Sequence, residues 1–253
     1  MSGSNGVNSV NTALRVLEGV AKQEAVGVTE LSKQLGIPKS SVQRMLYTLQ
    51  EAGWVRETGE DVTRWTLTSL MLRLTGDRQR GLRRAVLPVM EALRDKTQET
   101  IHLAIEEFET AVIIERLVSP QPVRANVDLG QGAPLLASAN GKAIISTWRD
   151  DDVRTLIAKG LKNYTSATIS NERDLWKQID FIREKGYATQ SEEWREGVAA
   201  VSVPLINGNR AEGAISISTP AYRMTQERQE EYGELLMAAI SALEFTAPSS
   251  SSE

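Results

Sequence analysis

Ser40, Gln43, Arg44 and Tyr47 stand at i, i+3, i+4 and i+7, so on a helix they share one polar stripe. Val42, Leu46 and Leu49 form an apolar stripe on another side. A polar stripe of this kind can read duplex DNA, because Gln pairs bidentately with adenine and Arg with guanine in the major groove. Lys39, Ser40 and Ser41 occupy the first turn of the same helix, where backbone N–H groups and a nearby cation hold phosphate. An ordinary solvated face has a similar composition, so the reading depends on what surrounds it.

A second group invites catalysis. The run SANGK brings Ser138 near Lys142, which suggests a Ser–Lys nucleophile. The spacing argues against it: a Ser-x-x-Lys pattern puts its lysine where Gly141 stands, and a phosphate-binding loop needs glycine where Leu136 stands. The stretch LGQG lacks the further glycine of a dinucleotide fingerprint. With no cysteine and a single histidine, His102, thiol chemistry is excluded and a His-rich metal centre is not expected. His102 falls in a strand-like run and reads as a partly buried structural residue. An enzyme is thus the weaker reading, and no cofactor is expected.

The elements that must carry the DNA-reading stripe follow a definite order. Val10, Leu14, Leu17 and Val20 recur at helical spacing and predict an amphipathic helix over residues 8–23. Thr29 is placed as the N-cap of a short helix carrying Leu31 and Leu35, closed by Gly36 in the left-handed conformation. Pro38 suits the first turn of the third helix, which Gly53 ends. Trp54 to Glu57, the turn-forming Gly59, Glu60 and Asp61, and then Arg64 to Leu67 read as a small hairpin, with Arg56 and Arg64 on it. Three helices and a hairpin are a winged helix-turn-helix. Thr29, Arg56 and Arg64 complete the expected DNA-contacting set.

Residues 68–97 return to helical character, with Leu70, Leu74, Val86, Val89, Met90 and Leu93 apolar and Arg78, Arg80, Arg83 and Arg84 clustered between them. From about residue 100 strand-like runs begin: HLAIEE, AVIIERLV, YATQS, VAAVSVPLI and GAISIS. Helical patterns at 138–148, 151–159, 171–185 and 225–245 are interleaved with them, which predicts a mixed α/β domain. The division is residues 8–68 for DNA binding, 69–84 as a linker helix, 85–246 as an effector-binding and oligomerisation domain, and 247–253 as a disordered polar tail.

Charge follows the same boundary. The net charge of the 253 residues is −4, yet residues 1–97 hold 14 Lys and Arg against 10 Asp and Glu, and the remainder 15 against 23. Only the first part is basic, as phosphate neutralisation requires. No apolar run is long enough to span a bilayer and the polar start lacks the regions of a signal peptide, so a cytoplasmic protein is expected.

The stretch GVTELSKQLGIPKSSVQRMLYTLQEAGWV (27–55) resembles the helix-turn-helix of the isocitrate lyase regulator (IclR) family of bacterial transcription factors. The resemblance continues through GAPLLASANGKAIIS (132–146), REKGYATQSEEWREGVAAVSVPL (183–205), GAISIS (213–218) and RMTQER (223–228). RWTL at 64–67 departs from the usual wing. The resemblance implies a two-domain α/β chain: a winged helix-turn-helix, a linker helix, and a GAF-like C-terminal domain with a ligand pocket between an antiparallel sheet and loops. It implies a repressor rather than an activator, acting on operator DNA as a homodimer or homotetramer.

For the pocket, Ala139, Asn140 and Gly141 match the family's small-residue loop, where backbone N–H groups can receive a carboxylate. Gln190 and Ala200 stand where relatives with small organic-acid ligands carry Asp and Cys, so the implied effector is a small organic acid of altered shape, with aromatic acids included. Ser216 and Ser218 lie two apart on one strand and so offer two hydroxyls on one face. The plainer reading makes Gly141 a packing residue and the serines satisfied strand residues. Trp148 and Trp194 are placed near the pocket or in the core. A regulator with no ligand at all, acting as a dimeric scaffold, also stays open.

Overall fold

The computed structural model describes residues 6–59, 62–70, 77–241 and 243, with only the backbone of Asp77 and Arg78. Glu60 and Asp61 of the expected turn, residues 71–76 of the expected linker and the tail 247–253 lie outside them. The chain divides into two compact units, residues 1–77 and 78–253.

The first unit holds helices α1 (Asn8–Ala21), α2 (Val28–Leu35) and α3 (Lys39–Glu51) and the antiparallel hairpin β1 (Val55–Thr58) and β2 (Arg64–Leu67). Its core is Val16, Val20, Leu31, Val42, Leu46, Val55 and Trp65, each buried. Gly36 closes α2 at φ 65°, a conformation that costs a glycine nothing and a residue with a Cβ about 1–2 kcal/mol. This leaves room for an immediate entry into α3 behind Pro38, which is its N-cap.

Two local expectations are corrected. Val10 and Leu14 are half exposed, and the buried side of α1 is Val16, Gly19 and Val20. Gly19 is part of that side because the Leu31 side chain packs on it: a Cβ there would meet Leu31 Cδ2 at 2.8 Å. Thr29 is not an N-cap, because α2 starts at Val28, two residues earlier than such a cap implies, with Gly27 in that position and no side chain capping it.

The second unit opens with α4 (Asp77–Thr97), followed by β3 (Thr100–Glu107), β4 (Thr110–Leu117), β5 (Gly132–Pro134), α5 (Ala139–Ser146), α6 (Asp150–Ile157), α7 (Glu172–Lys185), β6 (Ala188–Ser191), β7 (Val198–Asn207), β8 (Arg210–Pro220) and α8 (Gln226–Ser241). The division expected between residues 84 and 85 falls inside the continuous helix α4. The six strands form one antiparallel sheet in the order β5-β4-β3-β8-β7-β6, the GAF-like α/β arrangement expected.

Period-2 alternation gives this sheet two unlike faces. One carries Ile101, Leu103, Val201, Val203, Ile215 and Ile217 and packs on Leu82, Val86 and Met90 of α4 and on Leu236 of α8. The other carries small and polar residues on β3, β6, β7 and β8. It is covered by α5, itself buried on all sides, with α6 and α7 outside it. Among the described residues no helix is long and apolar enough to cross a membrane, and no group of His, Asp or Glu is placed to hold a metal.

Candidate functional site

Helix α3 presents the stripe that its sequence implies. Lys39, Ser40, Gln43, Arg44 and Tyr47 are exposed and Ser41 is half-buried, while Val42, Leu46 and Leu49 are buried. No side chain caps the start of α3, so the first-turn amides beside Lys39 and Ser40 stay open to an anion, with the positive end of the helix dipole behind them. The Gln43 amide donates to the Tyr47 hydroxyl at 3.3 Å. The Tyr47 ring meets the buried Trp65 ring edge-on, 5.7 Å between centroids, which ties this stripe to the hairpin. Arg56 is exposed on β1. Arg64 is occupied differently: its guanidinium donates to the Ala25 carbonyl at 3.0 Å beside the Val26–Trp65 bridge, so it braces the hairpin against the α1–α2 connection.

The sheet's polar face gathers most of the expected effector residues into two adjacent rows. Gln190 pairs with Ala200, Ala200 with Ser218 and Ser218 with Thr100. In the next row Ser202 pairs with Ser216 and Ser216 with His102. Paired residues across a sheet point to the same face, so these side chains converge under the start of α5. Asn140, in the first turn of α5, accepts from the Ser202 hydroxyl at 2.7 Å. Gln190 is engaged locally, donating to the Val198 carbonyl at 3.2 Å and accepting from the Glu193 amide at 3.1 Å.

Two atoms in these rows are left over. His102 Nδ1 lies 3.1 Å from Ser218 Oγ, but His102 Nε2 and Ser216 Oγ, on residues 1% exposed, have no hydrogen-bond partner among the described residues. The third such atom, Trp65 Nε1, is in the core of the first unit. Burial, and secondarily the Arg116 guanidinium, pushes the His102 pKa down to about 3, so the ring is neutral and offers one donor and one acceptor. An orphaned buried polar group costs about 1–3 kcal/mol, and a ligand with oxygen atoms in the right place removes that cost.

His102, expected as a partly buried structural residue, is buried on this face beside Ser218. Its signal was its type on a strand, but its partners are set by a register that no local pattern displays. Gly141 is closely packed: its amide donates to Ser138 Oγ at 3.0 Å, and a Cβ on it would stand 2.4 Å from Leu135 Cα. Ala139 is buried beside it. Ser138 and Lys142 form no dyad. The Ser138 hydroxyl donates to the Pro134 carbonyl at 2.7 Å. Lys142 Nζ, fully buried, is held by both Glu193 carboxylate oxygens at 2.6 and 2.8 Å. Burial pushes the Lys142 pKa down and the Glu193 pKa up, against their mutual attraction.

Neither tryptophan enters the rows. Trp148 lies past the other end of α5, under the Arg210 guanidinium at 4.6 Å. Trp194 is stacked by Arg195 at 4.2 Å.

The same two units appear in known proteins. Residues 9–59 match the model of the IclR helix-turn-helix domain, and residues 77–244 that of the bacterial transcriptional regulator IclR C-terminal domain. The chain belongs to the IclR family of bacterial transcriptional regulators. It is 30% identical over 240 residues to the transcriptional repressor IclR of Escherichia coli K12, covering 92% of this chain and 87% of that protein. It is 31% identical over 240 residues to the regulator KdgR of the same organism, covering 93% and 90%. The crystal structure of the Thermotoga maritima IclR superposes with a TM-score of 0.77 at 26% identity over 92% of this chain and 96% of that one. An IclR homologue from Microbacterium hydrocarbonoxydans, solved in complex with 4-hydroxybenzoate, has the same fold, with a TM-score of 0.76 at 20% identity and coverage of 94% and 98%. These families are DNA-binding transcriptional regulators and not enzymes, in keeping with SANGK supplying a helix cap and an ion pair.

Proposed function

We propose that this chain is an effector-controlled repressor. It binds a near-palindromic operator as a symmetric dimer or dimer of dimers and encloses a small organic acid on the polar face of its C-terminal sheet. The observation that carries the effector reading is the pair of buried, unpartnered atoms His102 Nε2 and Ser216 Oγ, beside Ser218 and beneath Asn140. In this reading Ser216 and a neutral His102 donate to a carboxylate or phenol oxygen, beside the short side chain of Ala200. The neighbour holding 4-hydroxybenzoate supports an aromatic acid as the first compound to test. In the first unit, Gln43 and Arg44 read bases, Lys39, Ser40 and Ser41 hold phosphate, Thr29, Arg56 and Tyr47 flank them, and Arg64 positions the wing.

A ligand moves the DNA-competent population only by the difference in its affinity for the two arrangements, and a tenfold change corresponds to about 1.4 kcal/mol. The double substitution Ser216→Val, Ser218→Val is expected to abolish the response of operator binding to the acid and leave binding without ligand intact. Full ligand affinity in that variant, measured by calorimetry, would remove the effector site from this face. Footprinting is expected to show two half-sites about one or more helical turns apart. A lone half-site saturated by a monomer would overturn the dimeric reading.

A further inference from the structure

We propose that the C-terminal unit carries a second, accessory site for a small amphipathic monoanion, separate from the polar face of the sheet. It is a cavity of about 210 Å³ between the turn at 134–137, the end of α6 and the segment 159–169. Its wall is apolar, built by Leu136, Leu156, Leu161 and Ile169, and its mouth carries Lys159, Lys162 and Glu109. Lys159 is paired with Glu109, which leaves Lys162 as the net positive charge of the mouth. The Lys162 ammonium is exposed and lies 5.2 Å over the Tyr164 ring.

These features define the occupant. The apolar wall takes a hydrocarbon or aromatic body, whose burial is favourable at about 25 cal/mol per Å². One net cation at the rim takes one anionic group, and a cavity below the usual range of about 300–1,000 Å³ admits a body near the size of one ring. None of the residues that line this cavity belongs to the two effector rows.

The site is wired to those rows from both sides. Leu135, next to Leu136, is the residue on which Gly141 is packed without room for a Cβ. Thr168, which lines the cavity, donates to the Glu193 carbonyl at 2.6 Å, and Thr165 donates to the Glu192 carbonyl at 2.6 Å. The Glu193 carboxylate then holds Lys142, two residues along α5 from Asn140. Glu192 and the Phe108–Glu109 turn at the mouth have φ of 58°, 50° and 62°, a strained conformation for such side chains. An occupant that shifts the 159–169 segment therefore pulls on the start of α5 that roofs the effector rows.

The test uses benzoate as probe on the full chain, with isothermal calorimetry and methyl NMR of Leu136, Leu156, Leu161 and Ile169. Benzoate is expected to shift these methyls in the wild type and equally in Ser216→Val, Ser218→Val. Lys162→Glu is expected to weaken that binding by about tenfold or more, because like charges brought together at a site are strongly disfavoured. Leu161→Trp, which fills the cavity, is expected to abolish it. Lys162 is exposed, so its charge reversal leaves the fold intact, as the melting curve will show. Loss of all benzoate binding in the serine double variant would assign every effect to the effector rows and overturn the proposal. So would an unchanged affinity in Lys162→Glu, or methyls that do not move at millimolar benzoate. Because the serine variant and the lysine variant report on different cavities, failure of the accessory site is read separately from failure of the effector face.

Discussion

The polar stripe of α3, proposed to read DNA, and the polar face of the C-terminal sheet, proposed to hold an effector, set similar residue types in opposite surroundings. On α3, Lys39, Gln43 and Arg44 stand in water, where their hydrogen bonds are satisfied by solvent until a partner replaces it. On the sheet, His102 and Ser216 are buried with atoms that have no partner among the described residues. A partner the size of a DNA duplex arrives from outside, so its contacts are kept exposed at no cost to folding. A small molecule must be enclosed to be held, so its contacts are charged against the stability of the empty protein. Substitutions on the two faces should therefore separate: those on the sheet and its roof change stability, and those on α3 change binding alone.

The largest expected effect tests the roof. Lys142→Met leaves the buried Glu193 carboxylate without its cation, and breaking such a pair on one side costs about 3–5 kcal/mol. Replacing both, Lys142→Met with Glu193→Leu, is expected to recover most of that loss, because two apolar groups remove the desolvation cost along with the attraction. Urea unfolding that resolves the C-terminal transition measures both. A single variant as stable as the wild type would show that this pair does not hold the roof.

The next effect is in pH. His102 has its pKa lowered from 6.5 to about 3 in the folded chain, so between these values the unfolded state binds the proton and the folded state does not. Stability from this group is complete above pH 6.5 and is lost as pH falls towards 3, at up to about 1.4 kcal/mol per unit. At pH 5 the wild type is expected to have lost roughly 2 kcal/mol more than His102→Leu, relative to their values at pH 7. Parallel pH profiles for the two would place His102 in contact with solvent and would break the contrast between the faces.

What the sequence disclosed follows the same contrast. The α3 stripe is a local pattern: seven residues and a period of 3.6 place Gln43 and Arg44 on one side and Val42 and Leu46 on the other. The polar rows of the sheet depend on register between distant strands, as in the contact of His102 with Ser218 across 116 residues, which no local pattern around His102 displays. Lys142 and Glu193 lie 51 apart, and their pairing left no mark in either neighbourhood. Where local pattern failed, the reason was packing. In α1 the large apolar residues Val10 and Leu14 lie on a half-exposed side, while the buried side uses Gly19 against Leu31. Thr29 had the right chemistry for a cap, one position inside a helix that begins without one.

The smallest effects lie on α3, and they distinguish base contacts from phosphate contacts. Arg44→Ala and Gln43→Ala are each expected to leave unfolding within about 0.5 kcal/mol of the wild type, as exposed positions do. They should weaken operator binding by roughly 1–3 kcal/mol each and relax specificity at one base pair. Gln43 gives up its Tyr47 contact, 3.3 Å long, to reach a base, so its loss should be the lower of the two. Lys39→Ala removes a charge beside an uncapped helix start and should weaken binding to operator and to random DNA alike. The slope of log affinity against log salt should fall by about one for that single phosphate contact. Titrations of the three variants at several salt concentrations, on operator and scrambled duplexes, separate the roles. Equal, sequence-independent losses from all three would mean that α3 touches only the backbone, and that the base-reading side chains of this chain lie elsewhere.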